Sequence, residues 1–155
     1  MDKLTHIDEH CRPAMVDVSG KAICHRTAKA EGRISLCGET VKLVAENRIA
    51  KGGVLMTAEI AGVQAAKRTA ELIPLCHPLA ITKIAVRAEL EETSVCVKSE
   101  VICVGQTGIE MEALTAVSIA LLTIYDMCKA VDKSMVISGI RLVEKNKKGV
   151  PDGGA

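Results

Sequence analysis

The order in which the hydrophobic pattern changes period between Ile23 and Lys145 restricts the fold more than any other feature of the sequence. From Ile23 to Leu36 small or apolar residues alternate with polar ones, which predicts a long strand bent at Gly32. Glu39 to Asn47 sets Val41, Leu43, Val44 and Ala45 among charges and reads as a short helix that ends near Lys51, Gly52 and Gly53. Val54 to Leu72 carries Ile60, Val63, Ala66, Lys67 and Ala70 near helical spacing, a first long helix that Pro74 should stop. Its small residues Ala61, Gly62, Ala65 and Ala66 permit close packing. The alternating runs 79–90 and 94–105 flank a Glu91–Glu92–Thr93 turn and predict a hairpin. Residues 110–131 place Leu114, Val117, Leu121, Ile124 and Cys128 at helical intervals, a second long helix, and Ser134 to Lys145 offers Met135, Ile137 and Ile140 as a closing strand.

This order is β-α-β-β-α-β with an extra short helix, the split arrangement of ferredoxin-like α+β sandwiches, with an antiparallel sheet covered by helices on one face. A length of 155 residues suits one domain. Residues 1–20 read as an N-terminal arm and 146–155 as a flexible tail. Tyr125 is the single aromatic residue, so the core must be aliphatic, and a module that stacks nucleic-acid bases is disfavoured. A net charge of +1 supplies no global field for a polyanion or an anionic membrane. The longest uncharged run, 113–125, is shorter than the roughly 20 residues of a bilayer span. Seven cysteines, odd in number and without a C-x-x-C pair, fit reduced thiols. With no secretory pattern in MDKLTHIDEH, a cytoplasmic location is expected. The mean hydropathy of +0.25 points to apolar surface left over for an oligomer contact.

Several segments can carry chemistry. LIPLCHPL at 72–79 pins Cys76 and His77 between Pro74 and Pro78, a stiff loop suited to a positioned acid, base or donor, or simply a proline turn. Cys76 has no activating base near it in sequence, which weakens a nucleophile role. Glu110 and Glu112 open the second long helix, where the macrodipole alone accounts for carboxylates, and two residues two apart point about 200° from each other. Asp126 and Lys129, at i and i+3, close an otherwise apolar helix as a surface ion pair or as part of a site. Lys51 precedes two glycines, yet no G-x-x-x-x-G-K-[ST] run occurs, which excludes a P-loop. His6, Asp8, His10 and Cys11 are possible metal ligands, but their spacing matches no zinc motif. Basic residues gather between Lys129 and Lys148, a solvated face by default.

Taken together, MVDVSGK at 15–21, HRTAKAEG at 25–32, KGGVL at 51–55, IAGVQAAKRTAELIPLCHPL at 60–79, TGIEMEALTAVSIALLTIYDMCKAVDK at 107–133 and IRLVEK at 140–145 resemble the cyclic pyranopterin monophosphate synthases, the C proteins of molybdenum cofactor biosynthesis. The resemblance implies a lyase that converts 3′,8-cyclo-7,8-dihydro-GTP into cyclic pyranopterin monophosphate and releases pyrophosphate. It also implies that Lys51, Asp126 and Lys129 form the catalytic group, that His77, Glu110 and Glu112 contact substrate, and that Leu75, Cys76 and Met111 line it. Asp17, Lys21 and Arg26 would close over the triphosphate. Neighbours and burial are expected to move the Lys and Asp pKa values toward neutrality. The resemblance implies no redox cofactor and no metal held by the chain, with Mg²⁺ on the triphosphate an open alternative. It implies a homohexamer built as a trimer of dimers. The tail KNKKGVPDGGA departs from the Gly-Gly-Lys-Ser-Gly-like ending of many members, so no tail residue is assigned to the site.

Two other classes compete. One is a non-enzymatic, ferredoxin-like oligomeric nucleotide-binding sensor, which turnover would exclude. The other is a metal-dependent hydrolase using His6, His10 and Cys11, which a chelator would inactivate. Glu112 and Asp126 lie 14 residues apart on one expected helix, about 21 Å along its axis, so one small nucleotide does not readily reach both ends, and a site shared by two chains across a two-fold interface is expected.

Overall fold

The computed structural model describes His10 and residues 12–150. Strand β1 spans Cys24–Ser35, helix α1 Gly38–Ala45, α2 Val54–Lys67, α3 Thr69–Leu72, β2 Ile81–Leu90, β3 Ser94–Gly105, α4 Glu110–Cys128 and β4 Ile137–Gly149. The strands lie in the order β2-β3-β1-β4 with every neighbouring pair antiparallel. This is the ferredoxin-like arrangement read from the sequence. Side chains alternate across each strand, so Ala28, Ala30 and Ile34 of β1 and Val95, Val97 and Val101 of β3 point to one face. Helices α2 and α4 cover that face.

The core is aliphatic, with Ile34, Val95, Val97, Val101, Val117, Leu121 and Ile124 fully buried. Small residues make the layers fit. A Cβ at Gly32 would stand 2.8 Å from Leu121 Cδ1, so β1 meets α4 where no side chain intervenes. The β1–β4 register also shifts between Glu31 and Arg33, which places the irregularity expected at Gly32 in the pairing with β4. Where α2 crosses α4, a Cβ at Gly62 would lie 2.9 Å from the Ala116 carbonyl oxygen.

The other sheet face is covered by cross-strand ion pairs. One row runs Lys83–Glu100–Lys29–Glu144 across all four strands, with separations of 2.6, 3.8 and 3.0 Å. Edge strand β2 is partly closed by Glu59 of α2, whose Oε1 accepts the Ala88 N–H at 3.0 Å.

Several boundaries differ from expectation: α1 ends at Ala45, well before Lys51, and β4 begins at Ile137 and not at Ser134. The first long helix breaks at Arg68, where φ is −107° and ψ 10° and the N–H turns to the Ala65 carbonyl three residues back; the Thr69 hydroxyl also donates to the carbonyls of Ala65 and Ala66. The second long helix ends at Cys128, which leaves Lys129 as its C-cap. The last strand does not stop at Lys145: Asn146–Gly149 pair with β1 and are not part of a tail. Their side chains are polar and exposed, so hydrophobic alternation gave no sign of them, but backbone pairing does not require it. Although α4 is long and apolar enough to cross a membrane by length and composition, it is the core helix of this fold.

Gly62→Ala tests the helix crossing. Alanine ordinarily favours a helix interior by about 1 kcal/mol, but overpacking against the Ala116 carbonyl and Val86 costs roughly 1–3 kcal/mol. The expected result is a lower urea midpoint with an unchanged slope; a raised midpoint would show that the crossing relaxes freely.

Candidate active site

The expected site residues fall into two groups at opposite ends of α4. At its C-terminal end, Lys51 enters from the loop between α1 and α2, where Gly52 takes a φ of +95° that favours glycine. Lys51 Nζ donates to Asp126 Oδ2 at 2.6 Å and to the Asp126 carbonyl at 3.0 Å, and Lys129 Nζ donates to Asp126 Oδ1 at 2.7 Å. All three side chains are half-exposed, where an ion pair contributes little to stability, so two ammonium groups gathered on one carboxylate are poorly explained as a stabilising device. Hydrogen bonds from Lys129 and Lys51 lower the Asp126 pKa to about 2, and the bond to Asp126 raises that of Lys129. These shifts run away from neutrality, opposite to the expectation, because mutual pairing at the surface outweighs burial.

At the other end, a cleft of about 490 Å³ opens beside the first turn of α4, lined by Val16, Val18, Lys21, Leu75, Cys76, His77, Glu110 and Met111 among others. The His77 imidazole is half-buried, and its Nε2 donates to the Val16 carbonyl at 2.6 Å. That bond ties the loop after α3 to the N-terminal segment. Gln106 reinforces it by donating to the Ser19 and Lys21 carbonyls at 3.0 and 3.1 Å. Asp17 is next to the cleft-lining Val16 and Val18, with its carboxylate accepting the Ser19 N–H, which lowers its pKa. Arg26 is braced from β1 against the Gly105 and Gln106 carbonyls, both at 3.1 Å.

The two glutamates separate as their spacing requires. Glu110 is half-buried and pairs with Lys145 of β4 at 3.3 Å. Glu112 is only 2% exposed, its Oε1 accepts the Cys76 thiol at 3.7 Å, and its Oε2 is buried without a hydrogen-bond partner. It is therefore no simple surface cap. Burial raises its pKa, outweighing the favourable helix terminus. Burial, then the neighbouring Glu112 carboxylate, push the Cys76 thiol up to about 11, which favours the thiol over the nucleophilic thiolate. The alignment of Glu112 with Ala116, Ala120 and Ile124 at i+4 steps along the buried stripe was the available signal for its burial.

Two lysines were missed. Lys145 and Lys147 border a smaller cleft of about 250 Å³ with Arg26, Gly108 and Glu110. The first closes the IRLVEK run, and the second lay in the segment read as tail. His6, Asp8 and Cys11 lie outside the described residues, and among the described residues no cluster of His, Cys, Asp and Glu could hold a metal ion.

Residues 15–149 match the MoaC family. The chain belongs to that family. It is 56% identical over 147 residues to a cyclic pyranopterin monophosphate synthase of Thermomicrobium roseum, covering 94% of this chain and 89% of that protein. Proteins of the same name from Heliobacterium modesticaldum and Parvibaculum lavamentivorans are 55% and 54% identical, covering 94% and 92% of this chain and 92% and 91% of theirs. The MoaC match thus spans both ends of α4 and the strands that carry Arg26 and Lys145.

Glu112 gives this end of the helix a pH signature. Because its folded pKa lies above the ordinary 4.5, the folded state binds the proton more tightly, and stability is lost as pH rises from about 4.5 through the raised value. Glu112→Gln removes that loss. Thermal unfolding from about pH 4 to pH 8 should show the variant gaining stability relative to the parent as pH rises; a constant difference would mean that the carboxyl titrates normally.

Proposed function

We propose that the chain is a cyclic pyranopterin monophosphate synthase, which converts 3′,8-cyclo-7,8-dihydro-GTP to cyclic pyranopterin monophosphate and pyrophosphate in molybdenum cofactor biosynthesis. The observation that carries this reading is the extended identity to relatives of that name, from 53 to 56% over nearly the whole chain. A non-enzymatic sensor would use the same lysines only to bind nucleotide phosphates, and turnover separates the two readings.

The chemistry required is proton transfer and charge neutralisation, with no net redox change. Lys51 and Lys129 present two ammonium groups within 3 Å of one carboxylate, a charge array suited to the phosphates and developing anions of the reaction. In the resting arrangement Asp126 is a weak base, with a pKa of about 2. Substrate phosphates compete for the lysines, and as those bonds weaken the carboxylate regains basicity and accepts a proton. Mg²⁺, where present, accompanies the triphosphate as its counterion.

The cleft around His77 and Glu112 supplies the other half. Since the two groups lie about 21 Å apart along α4, one nucleotide reaches both only if a second chain brings its C-terminal group to this chain's cleft. Apolar side chains exposed on the helices support that contact: Met56 is 70% exposed and Ile60 63% on α2, and Leu122 is 53% exposed on α4, with Tyr125 three residues further along that helix. A two-fold dimer then contains two composite sites, and a trimer of such dimers is the assembly this reading adopts, working in the cytoplasm.

Incubating the purified chain with 3′,8-cyclo-7,8-dihydro-GTP should yield pterin product and pyrophosphate in equal amounts, and tight binding without product would establish the sensor instead. Lys51→Ala and Lys129→Ala should each lower turnover by about 10²-fold or more while circular dichroism is unchanged. Asp126→Asn should bind substrate yet fail to turn over. Near-normal rates in both lysine variants would remove them from catalysis, and joint loss of binding and turnover in Asp126→Asn would make Asp126 a positioning group.

A further inference from the structure

The catalytic group proposed above is assembled from two separate stretches of chain. Asp126 and Lys129 stand on the last turn and cap of α4, whereas Lys51 hangs from the loop that follows α1. Val44 of α1 and Ile49 of the loop are buried in the core, which anchors this segment two residues short of Lys51. Apolar packing is non-directional, so a directed polar contact can still set the register of the loop against α4.

Asp132 lies just beyond the α4 cap and is 3% exposed. Its Oδ2 accepts the N–H of Cys37, the residue that opens α1, at 2.8 Å. Its Oδ1 accepts the N–H and the hydroxyl of Ser134 at 2.9 and 2.8 Å, and its own N–H returns to the Cys128 carbonyl at 3.0 Å. One buried carboxylate thereby joins the end of α4, the start of α1 and the approach to β4. The Cys37 side chain makes no capping bond to α1, so the carboxylate supplies from outside the negative charge that this helix start favours. Burial alone would raise the Asp132 pKa, yet hydrogen bonds from Cys37 and Ser134 outweigh it and hold the group well below the usual range, as expected of a clamp closed at neutral pH.

We propose that Asp132 is a positioning residue for the Lys51–Asp126–Lys129 group: by clamping the start of α1 to the end of α4 through the Cys37 N–H, it holds Lys51 in register with Asp126. It touches none of the three. The inference rests on the catalytic reading for its functional meaning, but its geometric content can be read without turnover.

The readout is the titration of Asp126, followed by carboxyl ¹³C NMR on the full chain. With the clamp intact both lysines hold this carboxylate near pH 2. In Asp132→Asn the Lys51 contact loosens, so the Asp126 titration should move up by about one pH unit or more toward the ordinary carboxylate value. Turnover should fall by about 10-fold or more with little change in KM, as a displaced catalytic group implies.

A second pair of variants isolates the hydrogen bond. Cys37 has φ −70° and ψ 157°, which proline adopts without strain, so Cys37→Pro removes the N–H, while Cys37→Ala keeps it. The proline variant should reproduce the upward shift, and Cys37→Ala and the destabilised Gly62→Ala should not. An unmoved titration in Cys37→Pro, or an equal shift in Gly62→Ala, overturns the proposal. If Asp132→Asn does not fold, the Cys37 pair decides; if Cys37→Pro also fails to fold, the clamp holds the whole fold and the positioning role is rejected. Undiminished turnover in Lys51→Ala would instead overturn the catalytic reading and leave the titration result standing.

Discussion

Helix α4 can lie along the sheet and close beside α2 only because glycine occupies both points of closest approach, Gly32 in β1 and Gly62 in α2. With ordinary side chains at these places, the layers would separate by a fraction of a methyl group's width, and a core built of Ala, Val, Ile and Leu has no large ring with which to fill the gap. The rest of the molecule depends on this contact. It makes α4 a rigid rod of 19 residues, about 28 Å long, with chemistry-bearing groups at either end. Neither end can bend toward the other.

The two ends differ electrically in a way that suits separate tasks. At the C-terminal end a half-exposed carboxylate is surrounded by cations and is held ionised. At the N-terminal end a buried carboxyl has a thiol for its partner, and burial favours its neutral form. Within one chain these groups never meet. Brought together across a two-fold axis, the cation-rich end of one chain would face the carboxylate-rich end of another, and Glu112 would gain the positive neighbours that it lacks here.

Much of this was legible in the sequence, for identifiable reasons. Strands β2 and β3 alternate because one face is packed and the other carries ion pairs, and the long helices declare themselves through small and aliphatic residues at helical steps. The break at Arg68 was hidden because it is a one-residue tightening of the backbone, marked by neither glycine nor proline. The end of β4 was hidden because its lysines reveal nothing of backbone pairing with β1. The roles of the site residues were reached through family motifs, whereas spacing alone gave the 200° divergence of Glu110 and Glu112, the pairing of Asp126 with Lys129 and the distance between the two ends of the helix. That Glu112 turns inward follows from its alignment with Ala116 and Ala120, a pattern overshadowed by the more familiar attraction of carboxylates to a helix start. The direction of the Asp126 shift required the distances themselves, since exposure decides whether pairing or desolvation dominates.

The central claim is that a complete site needs two chains, and mixed oligomers test it most directly. Lys51→Ala protein and His77→Ala protein, each inactive alone, are combined under conditions that exchange subunits, with wild-type protein taken through the same treatment. A mixed dimer of shared sites puts both lesions into one site and leaves the other whole, so random exchange should restore about a quarter of the wild-type activity. If verified mixed dimers remain as inactive as either parent while the treated wild type keeps its activity, each chain carries its own complete site and the account fails.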